Sequence, residues 1–107
     1  MTVDTSTVCC SPRLAGHVDQ PRAVAVSELA KLLSDPIRVQ VLDVLRGHEE
    51  AVCQCELAPL FDVSQPTLSH HLRKLEEAGV VAVERRGRWA YYSMKPQAME
   101  VLGSWLS

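Results

Sequence analysis

Between Val63 and Gly79 the chain reads VSQPTLSHHLRKLEEAG. Leu68, Leu72 and Leu75 recur at i, i+4 and i+7, the spacing of one buried stripe on a helix. At about 100° per residue, Thr67, Ser69, His70, Arg73 and Lys74 face away from that stripe. Ser64 is a good N-cap, because its hydroxyl can take an orphan N–H of the first turn. Pro66 falls in that turn, where its missing N–H costs nothing. Gly79 is placed to end the helix at C′. The pattern therefore predicts one amphipathic helix whose open face carries hydroxyls, an imidazole and two cations. Such a face can hydrogen-bond base edges and neutralise phosphates. His71 lies on the flank of the leucine stripe and is expected to be packed.

The same reading organises the rest. Residues 1–20 are punctuated by Ser, Thr, Asp, Pro and Gly without an apolar period, as expected of a flexible arm. Pro21 to Ser34 reads as a first helix, with Val24, Leu29, Leu32 and Leu33 inward. Asp35 and Pro36 start a second as N-cap and N1. Ile37, Val41, Leu42, Val44 and Leu45 line its buried side, and Gly47 stops it. Arg38 is expected to form an intramolecular ion pair. After the polar loop His48-Glu49-Glu50, Ala51 to Cys53 looks extended and Glu56 to Phe61 helical, with Leu57, Leu60 and Phe61 inward. Because a proline ring clashes with the carbonyl four residues earlier, Pro59 puts the start of that helix near Cys55 or Glu56. The short helix, a turn and the helix from Gln65 make a helix-turn-helix. Beyond Gly79, VVAVERR and RWAYYSM are β-rich segments joined at Gly87, a hairpin with Arg85, Arg86 and Arg88 at its tip. Pro96 opens a last helix with Met99, Leu102, Trp105 and Leu106 on one side. A small monomer has little core left for that stripe, so a subunit interface is its natural use. The expected fold is mainly α with a β-hairpin wing: a homodimeric winged helix-turn-helix, with residues 21–107 as the DNA-binding and dimerisation domain.

Length and composition narrow the classes. A chain of 107 residues is one small domain, and its 47% apolar content excludes disorder throughout. The five aromatics leave the core mainly to Leu and Val. The net charge of −2 argues against a nucleic-acid partner, but its distribution argues for one. From Ser64 to Lys95 there are six cations against Glu76, Glu77 and Glu84, whereas residues 1–63 hold five cations and nine anions. A cationic half on an acidic chain is a directed field. The candidate DNA contacts are Ser64, Gln65, Thr67, Ser69 and His70 on the helix, with Arg73, Lys74, Arg85, Arg86 and Arg88 for phosphates. The partner is a double-stranded operator, an imperfect palindrome. No nucleophile–base pair or phosphate-binding glycine loop points to an enzyme. No stretch has the length of a membrane span, and the N-terminus lacks the basic start and apolar run of a signal peptide. A cytoplasmic protein is expected, and its four cysteines are then thiols or metal ligands.

Two cysteine pairs carry the candidate chemistry, Cys9-Cys10 in the arm and Cys53-Gln54-Cys55 before the short helix. Within a helix, thiols two residues apart splay by about 200°. At a strand-to-helix junction both can approach one ion. Cys55 stands at or beside a helix N-terminus, where the dipole favours a thiolate. His17 and His48 read as solvated loop residues. Sulfur-only ligation selects soft ions. Three thiolates suit trivalent arsenic or antimony, As(III) or Sb(III), while cadmium, lead or zinc, as Cd(II), Pb(II) or Zn(II), prefers four. Adjacent cysteines close a tetrahedron awkwardly but can fill two corners of a pyramid, which favours arsenic. A thiol redox or sulfide switch on the same cysteines needs no metal.

The segment from Ala30 to Met94 resembles the ArsR (SmtB/ArsR) family of metal-sensing repressors. The matching residues are Ser34-Asp35-Pro36-Ile37-Arg38, Val52-Cys53-Gln54-Cys55-Glu56-Leu57, Ser64 to Leu72, and Gly87-Arg88-Trp89-Ala90-Tyr91-Tyr92. The resemblance implies a homodimeric repressor of a resistance operon that leaves DNA on binding a metal or metalloid. Cys53 and Cys55 match the family's C-x-C box, but Ala58 stands where its arsenic sensors often carry a third cysteine. Cys9-Cys10-Ser11-Pro12 resembles members that supply missing thiols from the N-terminus, some for arsenite and some for cadmium or lead. Only Glu100, and no His, stands on the last helix, so the family's C-terminal zinc site is absent.

Overall fold

Three of the six prolines sit in the first turn of a helix whose start is capped by the residue just before that turn. The structure, a computed structural model, describes residues 18–107. Asp19 caps α1 (Gln20–Leu32) by accepting the Arg22 N–H at 3.0 Å. Asp35 caps α2 (Pro36–Arg46) through the Ile37 N–H at 2.9 Å, and Ser64 caps α4 (Gln65–Glu77) through the Thr67 N–H at 3.3 Å. Carboxylates and hydroxyls at these sites satisfy donors that the helix itself cannot. The first helix thus begins one residue before Pro21. Val24 lies 200° around the axis from Val26 and is 46% exposed, contrary to expectation, because Val26, Leu29 and Leu32 form the inner face.

Between α2 and α4 come β1 (Val52–Cys53), α3 (Gln54–Leu57) and a 3₁₀ turn over Ala58–Leu60. Pro59 cannot donate to the Cys55 carbonyl four residues back, so the α-helix ends at Leu57 and tightens. The helix starts at Gln54, earlier than expected from Pro59, since the proline limits its end rather than its beginning. Leu57 is fully buried, but Leu60 is 60% exposed, because the tighter turn rotates it outward.

The strands β2 (Val81–Arg86) and β3 (Trp89–Met94) pair antiparallel, with Arg86 opposite Trp89 across the two-residue turn Gly87-Arg88. Gly87 has φ +61° and Arg88 a negative φ, the order of a II′-type hairpin turn. The β1 strand adds to the far side of β3, giving the antiparallel order β1-β3-β2, with Val52 opposite Tyr92 and Cys53 opposite Tyr91. The hairpin is therefore the larger part of a three-stranded sheet. The last segment is split: Pro96–Met99 is a 3₁₀ turn, and α5 spans Glu100–Leu106. Met99 and Leu102 pack half-buried against the core, whereas Trp105 and Leu106 are exposed.

Leu57, Leu68, Leu72, Leu75, Val41, Val80 and Val81 are fully buried and join α2, α3, α4 and β2 into one core. Tyr92 is its aromatic member. Buried His71 accepts from Arg38 Nε at 3.3 Å, and Arg38 Nη1 donates to the Leu32 carbonyl at 3.3 Å. Arg38 thus ties α2 to α4 and to the end of α1 through an imidazole and a carbonyl, where an ion pair was expected. His71 Nδ1 is 3.8 Å from Asp35 Oδ2.

The α4 helix ends in a Schellman motif. The Gly79 N–H donates to Glu76 at 3.0 Å and the Val80 N–H to Leu75 at 3.1 Å, with Gly79 at φ +75°. Val80 and Leu75, both buried, supply the apolar contact of the motif. A Cβ on Gly79 would meet no heavy atom within 4 Å, so substitution there acts on backbone conformation alone. Gly79→Ala should cost about 1–2 kcal/mol. At matched protein concentration it should lower the thermal midpoint by about 5–10 °C. An unchanged melting curve would refute the left-handed cap.

Candidate nucleic-acid interface and thiol site

The α4 helix presents Gln65, Thr67, Ser69, His70, Arg73 and Lys74 to solvent, opposite Leu68, Leu72 and Leu75. Several of these groups are already held. The Ser64 hydroxyl donates to Thr67 Oγ1 at 2.8 Å while accepting the Thr67 N–H, so the cap also orients the threonine. His70 Nδ1 is 3.3 Å from Arg73 Nη2, one turn along the helix. Ser69 Oγ accepts from Gln54 Nε2 at 2.8 Å, across the gap between α3 and α4.

The hairpin cations differ in freedom. Alternation along β2 sends Arg85 and Arg86 to opposite faces. Arg85 Nη2 lies 3.6 Å from Glu76 Oε1 on α4, linking the hairpin to the helix. Arg86 makes two hydrogen bonds to the Glu84 carboxylate, at 3.0 and 3.1 Å, and its guanidinium sits 4.4 Å from the Tyr91 ring centre. The paired guanidinium holds the Glu84 carboxyl below its ordinary range, and the carboxylate holds Arg86 above its own. Arg88, at the turn, lies 5.4 Å from the Trp89 ring centre. Among the described residues Arg88 has no carboxylate within ion-pair reach.

Cys53 and Cys55 come together at the junction of β1 and α3. Cys53 is buried and Cys55 exposed. The Cys53 sulfur is the N-cap of α3, accepting the Cys55 N–H at 3.4 Å, and the Cys53 N–H donates to Glu56 Oε1 at 3.0 Å. This is a capping box with a thiol where a hydroxyl is usual. The sequence contained its signal, a glutamate three residues after the cap. The Cys55 thiol donates to the Cys53 sulfur. That hydrogen bond, with desolvation and the charges of Cys53 and Glu56, raises the Cys55 pKa above the ordinary thiol value. The neighbouring thiol outweighs the helix N-terminus, which was expected to favour a thiolate there.

Two sulfurs aimed at one point are a fitting half-site for a soft cation. At a metal–sulfur distance of about 2.3 Å, two thiolates on a tetrahedral ion stand about 3.7 Å apart. An ion bound there replaces the thiol–thiol hydrogen bond. Among the described residues no cluster of three or more His, Cys, Asp or Glu side chains is arranged to hold a metal. Cys9 and Cys10 lie outside the described residues, as does His17. His48 is exposed, with Nδ1 2.8 Å from the Val44 carbonyl. No helix among the described residues is long and apolar enough to cross a membrane.

The family model for the arsR family of bacterial regulatory proteins matches residues 35–83, from the cap of α2 into β2. The transcriptional repressor SdpR of Bacillus subtilis is 32% identical over 81 residues, covering 76% of this chain and 88% of its own length. The chain belongs to the arsR family. The arsenical resistance operon repressor of Staphylococcus xylosus is 35% identical over 77 residues, 72% of either chain. The cadmium resistance regulator CadC of Listeria innocua is 39% identical over 71 residues, 66% of this chain and 59% of CadC. The crystal structure of the repressor BigR from Xylella fastidiosa superposes with a TM-score of 0.66 at 29% identity, over 79% of this chain and 86% of that one. This arsR-family protein is thus a winged-helix transcriptional repressor that binds DNA, in a family of regulators rather than enzymes. In a helix-turn-helix the second helix is the reading helix, the position α4 holds here, and the β2–β3 hairpin has the position of the wing.

Proposed function

We propose that this repressor senses trivalent arsenic, as arsenite or antimonite, through cysteine thiolates and dissociates from its operator on binding it. The observation that carries the reading is the convergence of the Cys53 and Cys55 sulfurs at the start of α3, the helix that precedes the reading helix. Two sulfurs leave a pyramidal ion one ligand short, and Cys9-Cys10 is the remaining source of thiolates in the chain. The arsenical repressor among the relatives supports the metalloid. The similarity to CadC supports a second reading, a repressor responsive to cadmium, lead or zinc through the same four cysteines. A thiol redox or sulfide switch is the third. Titration of operator-bound protein with arsenite, cadmium and peroxide, read by DNA release, separates the three.

The repressor acts as a homodimer on an imperfect palindrome. Val24, Val101, Trp105 and Leu106 are exposed on α1 and α5, and Arg22 Nη2 reaches Ser104 Oγ at 3.5 Å between the two helices. A second copy is the natural cover for that apolar face. Half-sites should then lie about 34 Å apart or a multiple of it. Sedimentation should show a dimer both free and on DNA; a monomer in both states would defeat this.

Ser64, Gln65, Thr67, Ser69 and His70 supply base or backbone contacts, and Arg73, Lys74, Arg85, Arg86 and Arg88 meet phosphates. Arg88 is the wing cation free to do so without giving up a carboxylate. Arg88→Ala should weaken operator and random duplex alike and flatten the salt dependence by about one unit. A loss confined to the operator would overturn the assignment, since phosphate contacts do not read sequence. The operator for all these tests is a duplex selected from a random pool by the wild-type protein.

The arm and the thiol junction are tested together. Cys9→Ser and Cys10→Ser should each repress and respond poorly to arsenite, and Cys55→Ser should repress and not respond. A tenfold release needs about 1.4 kcal/mol of coupling. Linkage requires DNA to weaken arsenite binding by the same factor. If the Cys9→Ser/Cys10→Ser double variant released DNA at the wild-type arsenite concentration, the arm would have no part in sensing.

A further inference from the structure

Gln54 stands between the two thiols in sequence and is the first residue of α3. Its side chain leaves the thiol pair and crosses to the reading helix, where Nε2 donates to Ser69 Oγ at 2.8 Å. No other side-chain hydrogen bond among the described residues joins α3 to α4. Ser69 is one of the groups proposed to meet DNA. One side chain therefore links the first turn of the helix that carries the cysteines to the face that reads DNA.

That first turn cannot stay as it is when an ion binds. The Cys53 sulfur accepts both the Cys55 N–H and the Cys55 thiol proton. An ion held by the pair needs the lone pairs that these two bonds occupy. Each thiol that takes arsenite exchanges an S–H for an S–As bond, its proton leaving with an arsenite hydroxyl as water; the thiol–thiol hydrogen bond disappears, and the Cys53 lone pairs turn from the cap to the ion. Gln54 lies on the backbone between the two ligating residues. Its reach to Ser69 belongs to the metal-free turn.

We propose that Gln54 is a positioning residue that couples the thiol site to the reading helix, its hydrogen bond to Ser69 holding the DNA-competent pose and breaking when an ion takes the Cys53 sulfur from the cap of α3. The inference rests on the sensing reading above and names the contact through which that sensing reaches DNA. Ser69 has two uses, as an acceptor for Gln54 and as a contact for DNA. The bond fixes the hydroxyl oxygen and leaves its proton free to be donated outward. DNA binding and the Gln54 contact are thus compatible, while ion binding and the Gln54 contact are not. The contact contributes to coupling between ion and operator to the extent that operator binding depends on the pose it holds.

The test measures a release factor, the operator dissociation constant with saturating arsenite divided by that without it. Operator binding is read by fluorescence anisotropy on the full chain. Arsenite binding to the free protein is read separately by the ultraviolet absorbance of arsenic–thiolate bonds. Gln54→Leu and Ser69→Ala should each lower the release factor by about three- to tenfold, the range one hydrogen bond supplies. The double variant should fall no further than either single one, because both remove the same bond. Ser69→Thr, which keeps the hydroxyl, should retain the wild-type factor. Arsenite should bind each free variant at least as tightly as wild type, since no contact to the reading helix is broken. Unchanged release factors in Gln54→Leu and Ser69→Ala would overturn the coupling role with sensing intact. Weaker arsenite binding by Gln54→Leu would assign Gln54 to the thiol site itself and overturn it too. Absence of arsenic–thiolate absorbance or of release in the wild type would sink the sensing reading, and this inference with it.

Discussion

Cys53 belongs to a strand and to a helix at once, and the geometry of the site follows from that double membership. As the last residue of β1 it stands opposite Tyr91 in the sheet. As the N-cap of α3 it turns its sulfur to the Cys55 N–H and gives its own N–H to Glu56. The chain must change direction there, because a residue with extended backbone angles precedes a residue with helical ones. That change brings the two sulfurs to one side, whereas a continuous helix would set them roughly 200° apart. The same junction fixes α3 against the sheet and places Gln54 to reach α4. Burial of Cys53 and exposure of Cys55 then give the pair one anchored sulfur and one accessible sulfur.

The sheet makes this a shared element. Because β3 lies between β1 and β2, the wing and the thiol junction hang from one strand. Tyr91 faces Cys53 on one side and Glu84 on the other, and the Arg86 guanidinium rests over its ring. Arg85 meanwhile reaches Glu76 on the reading helix. Cys53 is thus joined to the wing through β3, and its neighbour Gln54 to α4 through Ser69. The exposed ion pairs are individually weak in water, so their part here is orientation. They set which cations stay free for a phosphate. Glu84 neutralises Arg86 and Glu76 approaches Arg85, while Arg88 projects at the turn.

Much of this was legible in the sequence where one local rule decides. Asp35-Pro36 and Ser64-Gln65-Pro66 gave both helix starts, and Leu68, Leu72 and Leu75 gave the buried stripe. Gly79 marked the end of α4 and Gly87 the hairpin turn, and both have positive φ. The failures have non-local causes or turn on competition between neighbours. The pairing of β1 with β3 joins residues some forty positions apart, and a two-residue strand has no periodicity of its own. Arg38 carries a charge that suggested a carboxylate partner, but the nearest acceptors in the fold are an imidazole and a carbonyl. Leu60 lost its inward place to the 3₁₀ turn that Pro59 imposes. Cys55 sits where the helix dipole acts, yet Cys53 is closer and decides its proton affinity. The Gln54–Ser69 contact crosses two elements, and neither residue type signals it.

The size of the effect required is small enough for this architecture to deliver. The reading helix and the thiol junction are not joined by a large rearranging core, since Leu57, Leu68 and Leu72 are packed and fully buried. A close-packed interior resists continuous deformation, so coupling has to pass through contacts at its edge. One hydrogen bond contributes about 0.5–1.5 kcal/mol net. A tenfold release needs about 1.4 kcal/mol, within the reach of a single polar contact between α3 and α4. The proposed response therefore requires neither unfolding nor repacking of any helix.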